Sequence, residues 1–385
     1  MSFEVEWDDA WDTGLPGIDA EGLYISSRTE HIANPVIATN YDSQLWHGLA
    51  KARQGKWAEA REVFAILAEK YPGHPLAIDG YRWLLSYHAG TETRRRVEVQ
   101  QKLAFTRVSF DPFSGSKVVP AGAQLPAASK VNVDEDVYRL HDPAMVVKWH
   151  QACLDLEPKL MAFGPLYSRD PSAWLSVLTA RRHVGRHAEA DAMLREFFKA
   201  APPAVKSSDP WRDCLAAELW LTDKSLVPQQ PKPVGVSQQT ETRPLLDGKL
   251  DDPCWRAARP LVAAVPGKDE DVAAYRTEAR FTHDAQFLYV AVSCAHPTGK
   301  AVAPVAKRDR DADLTGRDRV DILLDLDRDY QTYYRFQIDH RGCLAEDCWG
   351  DKTWNPKYYV AFHPTETGWT AEYAIPLPEL TGERA

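Results

Sequence analysis

Cysteine is scarce in this chain of 385 residues: six in all, at 153, 214, 254, 294, 343 and 348. That is too few for a disulfide framework at this length. No C-x-x-C occurs. Cys343 and Cys348 are five apart and would fall on opposite faces of a regular strand, so no bridge between them is expected. No run of about 18 apolar residues exists, so no membrane-spanning helix is expected. The opening stretch, MSFEVEWDDAWDTG, has no basic region followed by an apolar core, so it does not read as a signal peptide. That expectation suits a cytoplasmic protein or an internal piece of a longer secreted one. Positive charge is in deficit: 46 Lys and Arg against 55 Asp and Glu leave a net charge of −9. A nucleic-acid partner therefore has no electrostatic support. His283, His296 and His363 show no metal-ligand spacing with the cysteines, which argues against zinc.

What is present is ample apolar content, 44% of residues, enough for two or more packed domains. The most ordered pattern runs from Thr315 to Trp354. Val320, Ile322, Leu324 and Leu326 alternate with Asp321, Leu323, Asp325 and Asp327. Tyr334, Phe336 and Ile338 then alternate with Tyr333, Arg335, Gln337 and Asp339. A period of two marks strands with one buried face. Arg341-Gly342 turns the chain into a third strand ending near Trp349. Residues opposite each other in an antiparallel pair share a face. A three-residue loop at Arg328–Tyr330 would set Asp321 opposite Gln337 and Asp325 opposite Tyr333. The outward face would then hold Asp321, Asp325, Tyr333, Arg335 and Gln337 in one patch. Carboxylate, amide, guanidinium and aromatic ring together suit a polyhydroxylated ligand. A solvated sheet face explains the same residues.

Residues 1–40 are aromatic, acidic and aperiodic, an irregular lead-in. From 41 to about 225 the period is helical. LWHGLAKARQGKWAEAREVFAILAEKYPGHP reads as helix, turn at Gly55-Lys56, helix, and stop at Pro72-Gly73. PSAWLSVLTARRHVGRHAEADAMLREFFKAAPP repeats it, with a turn at Gly185-Arg186 and a stop at Pro202. In both, glycine precedes the stopping proline by 17 residues, with an alanine (Ala60, Ala190) and a large apolar residue (Phe64, Leu194) at matching places. Small residues let helices approach and large ones fill the groove. The two copies resemble the tetratricopeptide repeat, a helical hairpin. They depart from it at Lys51 and Arg181, where an aromatic is usual, and they lie 130 residues apart. Further helices are read at Leu76–Ala89, Glu92–Phe105, Pro143–Met161 and Pro210–Leu221. A loop rich in proline, glycine and serine from Asp111 to Lys130 interrupts them. Arg94-Arg95-Arg96 reads as a solvated basic face. Such arrays usually bind a peptide segment of a protein partner on their concave side. A helical spacer is the alternative.

A segment rich in proline and glutamine, 226–243, marks a linker. Residues 244–385 read as β structure. Strands are expected at PLL before a short helix near Asp252-Pro253, at Tyr275–Phe281 and Phe287–His296, through the Thr315–Trp349 set, and at Lys357–Pro364 and Trp369–Pro376. The fold class is therefore α + β multidomain: α-helical hairpin repeats, then an antiparallel β-sandwich of immunoglobulin-like or jelly-roll-like type. The ordered blocks DGKLDDPCW, EARFTHDAQFLYVAV, RDRVDILLDLD, YYRFQIDHRG and GWTAEYAIPLPEL resemble the family 9 carbohydrate-binding module and its DOMON-like relatives.

The resemblance implies a non-catalytic, bacterial-type module that binds a polysaccharide or oligosaccharide in support of carbohydrate breakdown. It also implies a periplasmic or cell-surface setting and structural calcium. Asp321 and Gln337 match the family's acidic and polar binding positions. Arg317, Arg335, Tyr333, Trp349 and Trp354 are the further candidates. The family clamps its sugar between two tryptophans. None stands at Leu314–Arg317 for the first, and the second would come after Leu380. The sandwich of this family continues further, so the chain reads as a fragment. Asp325, Asp327 and Asp329 form D-x-D-x-D, hard oxygen ligands at a spacing that can collect on calcium, or else a charged hairpin turn. Trp255 reads as core. A hydrolase site needs two carboxylates about 5–10 Å apart, and acidic pairs are many here, but the resemblance makes binding the expected role, with any glycosidase activity in a neighbouring domain. A haem-binding redox domain would need axial Met or His ligands, and the β region has no methionine. The competing reading is a tetratricopeptide-type scaffold with a structural sandwich.

Overall fold

The computed structural model describes residues 45, 47–70, 77–109 (side chains to 100), 142–164, 170–199, 210–227, 234–263, 276–296 and 309–382. The lead-in, the Asp111–Lys130 loop and the stops at Pro72 and Pro202 lie outside the described residues.

Helix α1 (47–53) turns at Gly55 into α2 (Trp57–Lys70). Then come α3 (Ala77–Ala89), α4 (Thr91–Ser109), α5 (Pro143–Met161), α6 (Pro171–His183), α7 (His187–Lys199) and α8 (Pro210–Thr222). Gly55 and Gly185 sit at φ +71° and +80°, the left-handed conformation that ends a helix and that glycine adopts without strain. Ala60, Phe64, Ala190 and Leu194 are fully buried, as the packing argument requires. Helix α3 packs against α2, α5 and α6, while α8 packs against α6 and α7. The hairpins are thus α1/α2, α3/α5 and α6/α7, with α8 behind them. The two copies seen in the sequence are the first and third hairpins of one stack. Their wide separation arises because the middle hairpin carries α4 and the segment up to 142 between its two helices.

The β region contains β1 (Gln238–Gln239), α9 (Pro253–Ala257), β2 (Leu261–Val262), β3 (Thr277–His283), β4 (Phe287–Ala295), β5 (Arg319–Leu324), β6 (Tyr334–Asp339), β7 (Leu344–Cys348), β8 (Tyr359–Thr365), β9 (Gly368–Pro376) and α10 (Leu377–Thr381). One sheet runs β1-β3-β4-β9-β8, with β2 also on β3; the other runs β5-β6-β7. All pairs are antiparallel except β1 with β3. The sheets face each other across one core. Phe336 meets Tyr358 edge-on at 5.0 Å, and Tyr358 stacks on Tyr373 at 6.2 Å. Two readings need correction. Pro244–Leu246 forms no strand, because the Leu245 N–H is drawn to the Asp252 carboxylate instead of a neighbouring strand. The expected linker contributes β1, whose two residues pair with Thr282 and His283.

Trp255 is core, as expected: it is fully buried, and its indole N–H donates to Glu372 at 2.7 Å. None of the six cysteines is in a disulfide, and all are buried. No described helix is long and apolar enough to cross a membrane.

Candidate glycan-binding face and the loop beside it

Strands β5 and β6 pair in the register the parity argument requires. Asp321 stands opposite Gln337 and Leu323 opposite Arg335. Tyr334, Phe336 and Ile338 are buried inward, while Arg335 and Gln337 stay partly open on the other face. There the Gln337 amide donates to Asp321 Oδ1 at 3.0 Å, and Arg319 Nε donates to the same oxygen at 3.0 Å. Arg335 Nε donates to Asp347 at 2.6 Å, with its guanidinium 6.0 Å from the Tyr333 ring. Burial alone would lower the pKa of Arg335, but Asp347 outweighs it and drives the pKa up. Arg317 extends the row, donating to buried Asp339 at 2.9 Å. The result is a row of fixed planar polar groups with one ring at its end. Sequence reading missed Arg319 and Asp347; the outward parity of Asp347 on the third strand was the available signal.

The two tryptophans do not join this face. Trp354 is buried in the sandwich core, stacked on Tyr334 at 4.6 Å. Trp349, at the turn after β7 with φ +49°, points at the helices. It stacks on Trp83 at 5.4 Å and meets Trp57 edge-on at 5.8 Å. Leu314, in the stretch of the absent clamp tryptophan, is buried.

The acidic stretch does something else again. The β5–β6 ladder stops at Leu324, and the connection spans 325–333 instead of three residues. The cause is Asp325, whose Oδ1 accepts the N–H groups of Asp327 at 3.0 Å and Arg328 at 2.6 Å, and whose Oδ2 accepts that of Tyr330 at 2.8 Å. The loop therefore curls on itself, with Arg328 and Tyr330 at φ +60° and +61°. The curled loop seats on helices α3, α4, α6 and α8. Asp327 accepts from the Thr91 N–H and hydroxyl at the start of α4, and lies 2.6 Å from His183 Nε2 on α6. The Gln331 amide nitrogen donates to Ser172 O at 2.9 Å and Ser176 Oγ at 2.8 Å, while its oxygen accepts from Ser86 at 2.7 Å. Tyr330 donates to Glu218 on α8 at 2.9 Å. Thr332 lies against Gly90, where a Cβ would overlap its side chain.

Burial pushes Asp325 up to about 6 and raises Asp329 well above the usual carboxylate value, with Asp325 adding to it. Burial also opposes ionisation of Asp327, yet the His183 side chain holds it below the usual carboxylate range. The calcium reading of Asp325, Asp327 and Asp329 gains no support. Their oxygens are taken by protein donors, and among the described residues no three or more His, Cys, Asp or Glu converge to hold an ion. The basic cluster is likewise no solvated face. Arg94 and Arg96 are buried, and Arg96 Nε donates to fully buried Asp351 at 2.7 Å. Its partner lies 255 residues away, beyond any local pattern. Beside the loop, a cleft of about 510 Å³ is lined by Arg182, His183, His187, Asp191 and Arg328 among others. Glu218 meets Arg182 at 2.5 Å and Arg328 at 3.7 Å, so those two cations share one buried anion.

Residues 42–74 match the family model of the tetratricopeptide repeat. No curated protein matches the chain. Among solved structures, a family 9 carbohydrate-binding module from Caldicellulosiruptor kristjanssonii in complex with cellotriose is similar, at 18% identity and a TM-score of 0.27. The match covers 36% of this chain and 66% of that one, just under two thirds of its length. A likeness of that size is too slight to carry the function.

Proposed function

We propose that the outward face of β5-β6-β7 is a carbohydrate-recognition surface, and that the helical hairpins are the support fixed to its side. The observation that carries this reading is the Asp321–Gln337 pair, 3.0 Å apart in the expected register and held by Arg319. Planar donors and acceptors fixed in advance bind vicinal hydroxyls with little loss of side-chain freedom. The Tyr333 ring beside Arg335 offers a face for the apolar side of a sugar ring. The resemblance of the strand blocks to family 9 modules points the same way.

The scaffold reading draws support from the tetratricopeptide match, but the face such repeats use is taken here. Ser86, Ser172, Ser176 and Glu218 are bonded to the chain's own loop. A protein partner would have to use other surfaces, such as those carrying Ile66 and Met161, exposed at 55% and 58%.

The test is affinity electrophoresis of the whole chain in gels containing soluble xylan or a cellulose derivative. The wild type should be retarded, while Asp321→Asn and Gln337→Ala should each weaken binding about tenfold or more, the loss of one well-placed polar contact. Free migration of the folded wild type in every glycan would refute the reading.

A further inference from the structure

The seat of the β5–β6 loop contains a hydrogen bond that ionised groups cannot complete. Glu92 of α4 accepts the Leu326 N–H on Oε1 at 2.7 Å. Its Oε2 lies 3.1 Å from Thr332 Oγ1. Asp329 accepts the N–H groups of Gln331 and Thr332 on Oδ1, at 2.7 and 2.8 Å. Its Oδ2 lies 2.9 Å from the same Thr332 Oγ1. Glu92, Asp329 and Thr332 are each fully buried. A hydroxyl carries one hydrogen and can donate it to one of the two carboxyl oxygens. Toward the other it presents only a lone pair. Two buried oxygens facing each other without a hydrogen repel each other strongly in a low-dielectric interior.

We infer that one proton resides on the Glu92–Asp329 pair when the loop is seated, so that docking of the sandwich on the helices takes up a proton and weakens as pH rises. Once separated and in water, both carboxyls are ionised at neutral pH. The surroundings agree. The loop adds Asp325 and Asp327; of the arginines on the same helix, Arg94 lies near Asp327, Arg95 is paired with Glu98 and Arg96 with Asp351, and His183 of α6 lies against Asp327. His150 of α5, stacked on His183 at 4.0 Å, is pushed down to about 3 by burial and by His183, and stays neutral. Cys153 of α5, Tyr334 of β6 and Cys348 of β7 also face the pair and are kept neutral by burial. Burial, then the neighbouring carboxylates, raises Glu92 and Asp329 alike. A carboxyl raised in the folded state contributes fully below its unfolded pKa. That contribution is lost as pH rises through the folded value.

The test uses the whole chain and two isosteric variants, Glu92→Gln and Asp329→Asn. Either amide supplies the missing hydrogen to Thr332 and leaves its own oxygen to accept the backbone N–H groups. Infrared difference spectra at about pH 8, where Asp325 is ionised, should show a protonated carboxyl in the wild type that either amide removes. Denaturant unfolding should lose stability as pH rises above the ordinary carboxylate range in the wild type. That slope should flatten in each single variant. The double variant should fall below the sum of the singles, since Thr332 would then face two donors and lose its acceptor. The wild-type spectrum serves even where a variant folds poorly. Absence of a protonated carboxyl in the wild type, or an unchanged slope in both amides, would overturn the inference.

Discussion

Two glycines decide how closely the helices and the sandwich approach. Gly90 faces the side chain of Thr332, and Gly55 faces the Asp351 carboxylate, which a Cβ would meet at 2.6 Å. Gly90→Ala is expected to lower stability by about 1–3 kcal/mol, the usual cost of overfilling a packed site, read as a shift of the denaturant midpoint with unchanged slope. Near Gly55, Arg96 and Asp351 form an ion pair with 7% and 0% of their side chains exposed. Arg96→Met leaves a carboxylate buried without its cation. A loss of about 3–5 kcal/mol is expected. Arg96→Met with Asp351→Leu should recover much of it, since a buried pair replaced on both sides is often neutral.

At the scale of elements, the connection between β5 and β6 is a keyed loop. Asp325 shapes it from within, while Asp327, Tyr330, Gln331 and Thr332 bond outward to four helices. Asp327 is pushed up by burial but held low by His183. A carboxyl lowered in the folded state contributes above its unfolded value, and that contribution is lost as pH falls through the folded one. His183→Ala should therefore be less stable than the wild type at neutral pH. The two stability curves should draw together below about pH 4.

The strands and hairpins were legible because alternation and helical spacing are local. The register of Asp321 and Gln337 followed from parity and a three-residue loop, and it holds in the structure although the connection is longer. The role of the acidic loop was not legible. Its partners, Thr91, His183 and Glu218, lie 112–236 residues away in sequence. Three aspartates two apart look the same whether they cap a turn, hold an ion or bond to another domain. The place of Trp349 was illegible for the same reason: its partners Trp57 and Trp83 stand 292 and 266 residues earlier.

On the scale of the whole molecule, helices and sheets share one continuous buried core. Leu85 and Leu175 of the helices belong to the same cluster as Phe336 and Tyr373 of the sandwich. Trp349 is the clearest bridge, and Trp349→Ala is expected to cost about 2–4 kcal/mol. The separate parts should be poorly stable alone, and glycan binding is best measured on the whole chain. The central claim is that the β5–β6 loop and Trp349 lock the two parts into a single folding unit. The most direct measurement is denaturant unfolding followed at once by the far-UV helix signal and by an amide-exchange probe on β4 and β9. Coincident transitions with one midpoint are predicted. Helices that melt while β4 and β9 remain protected would contradict it.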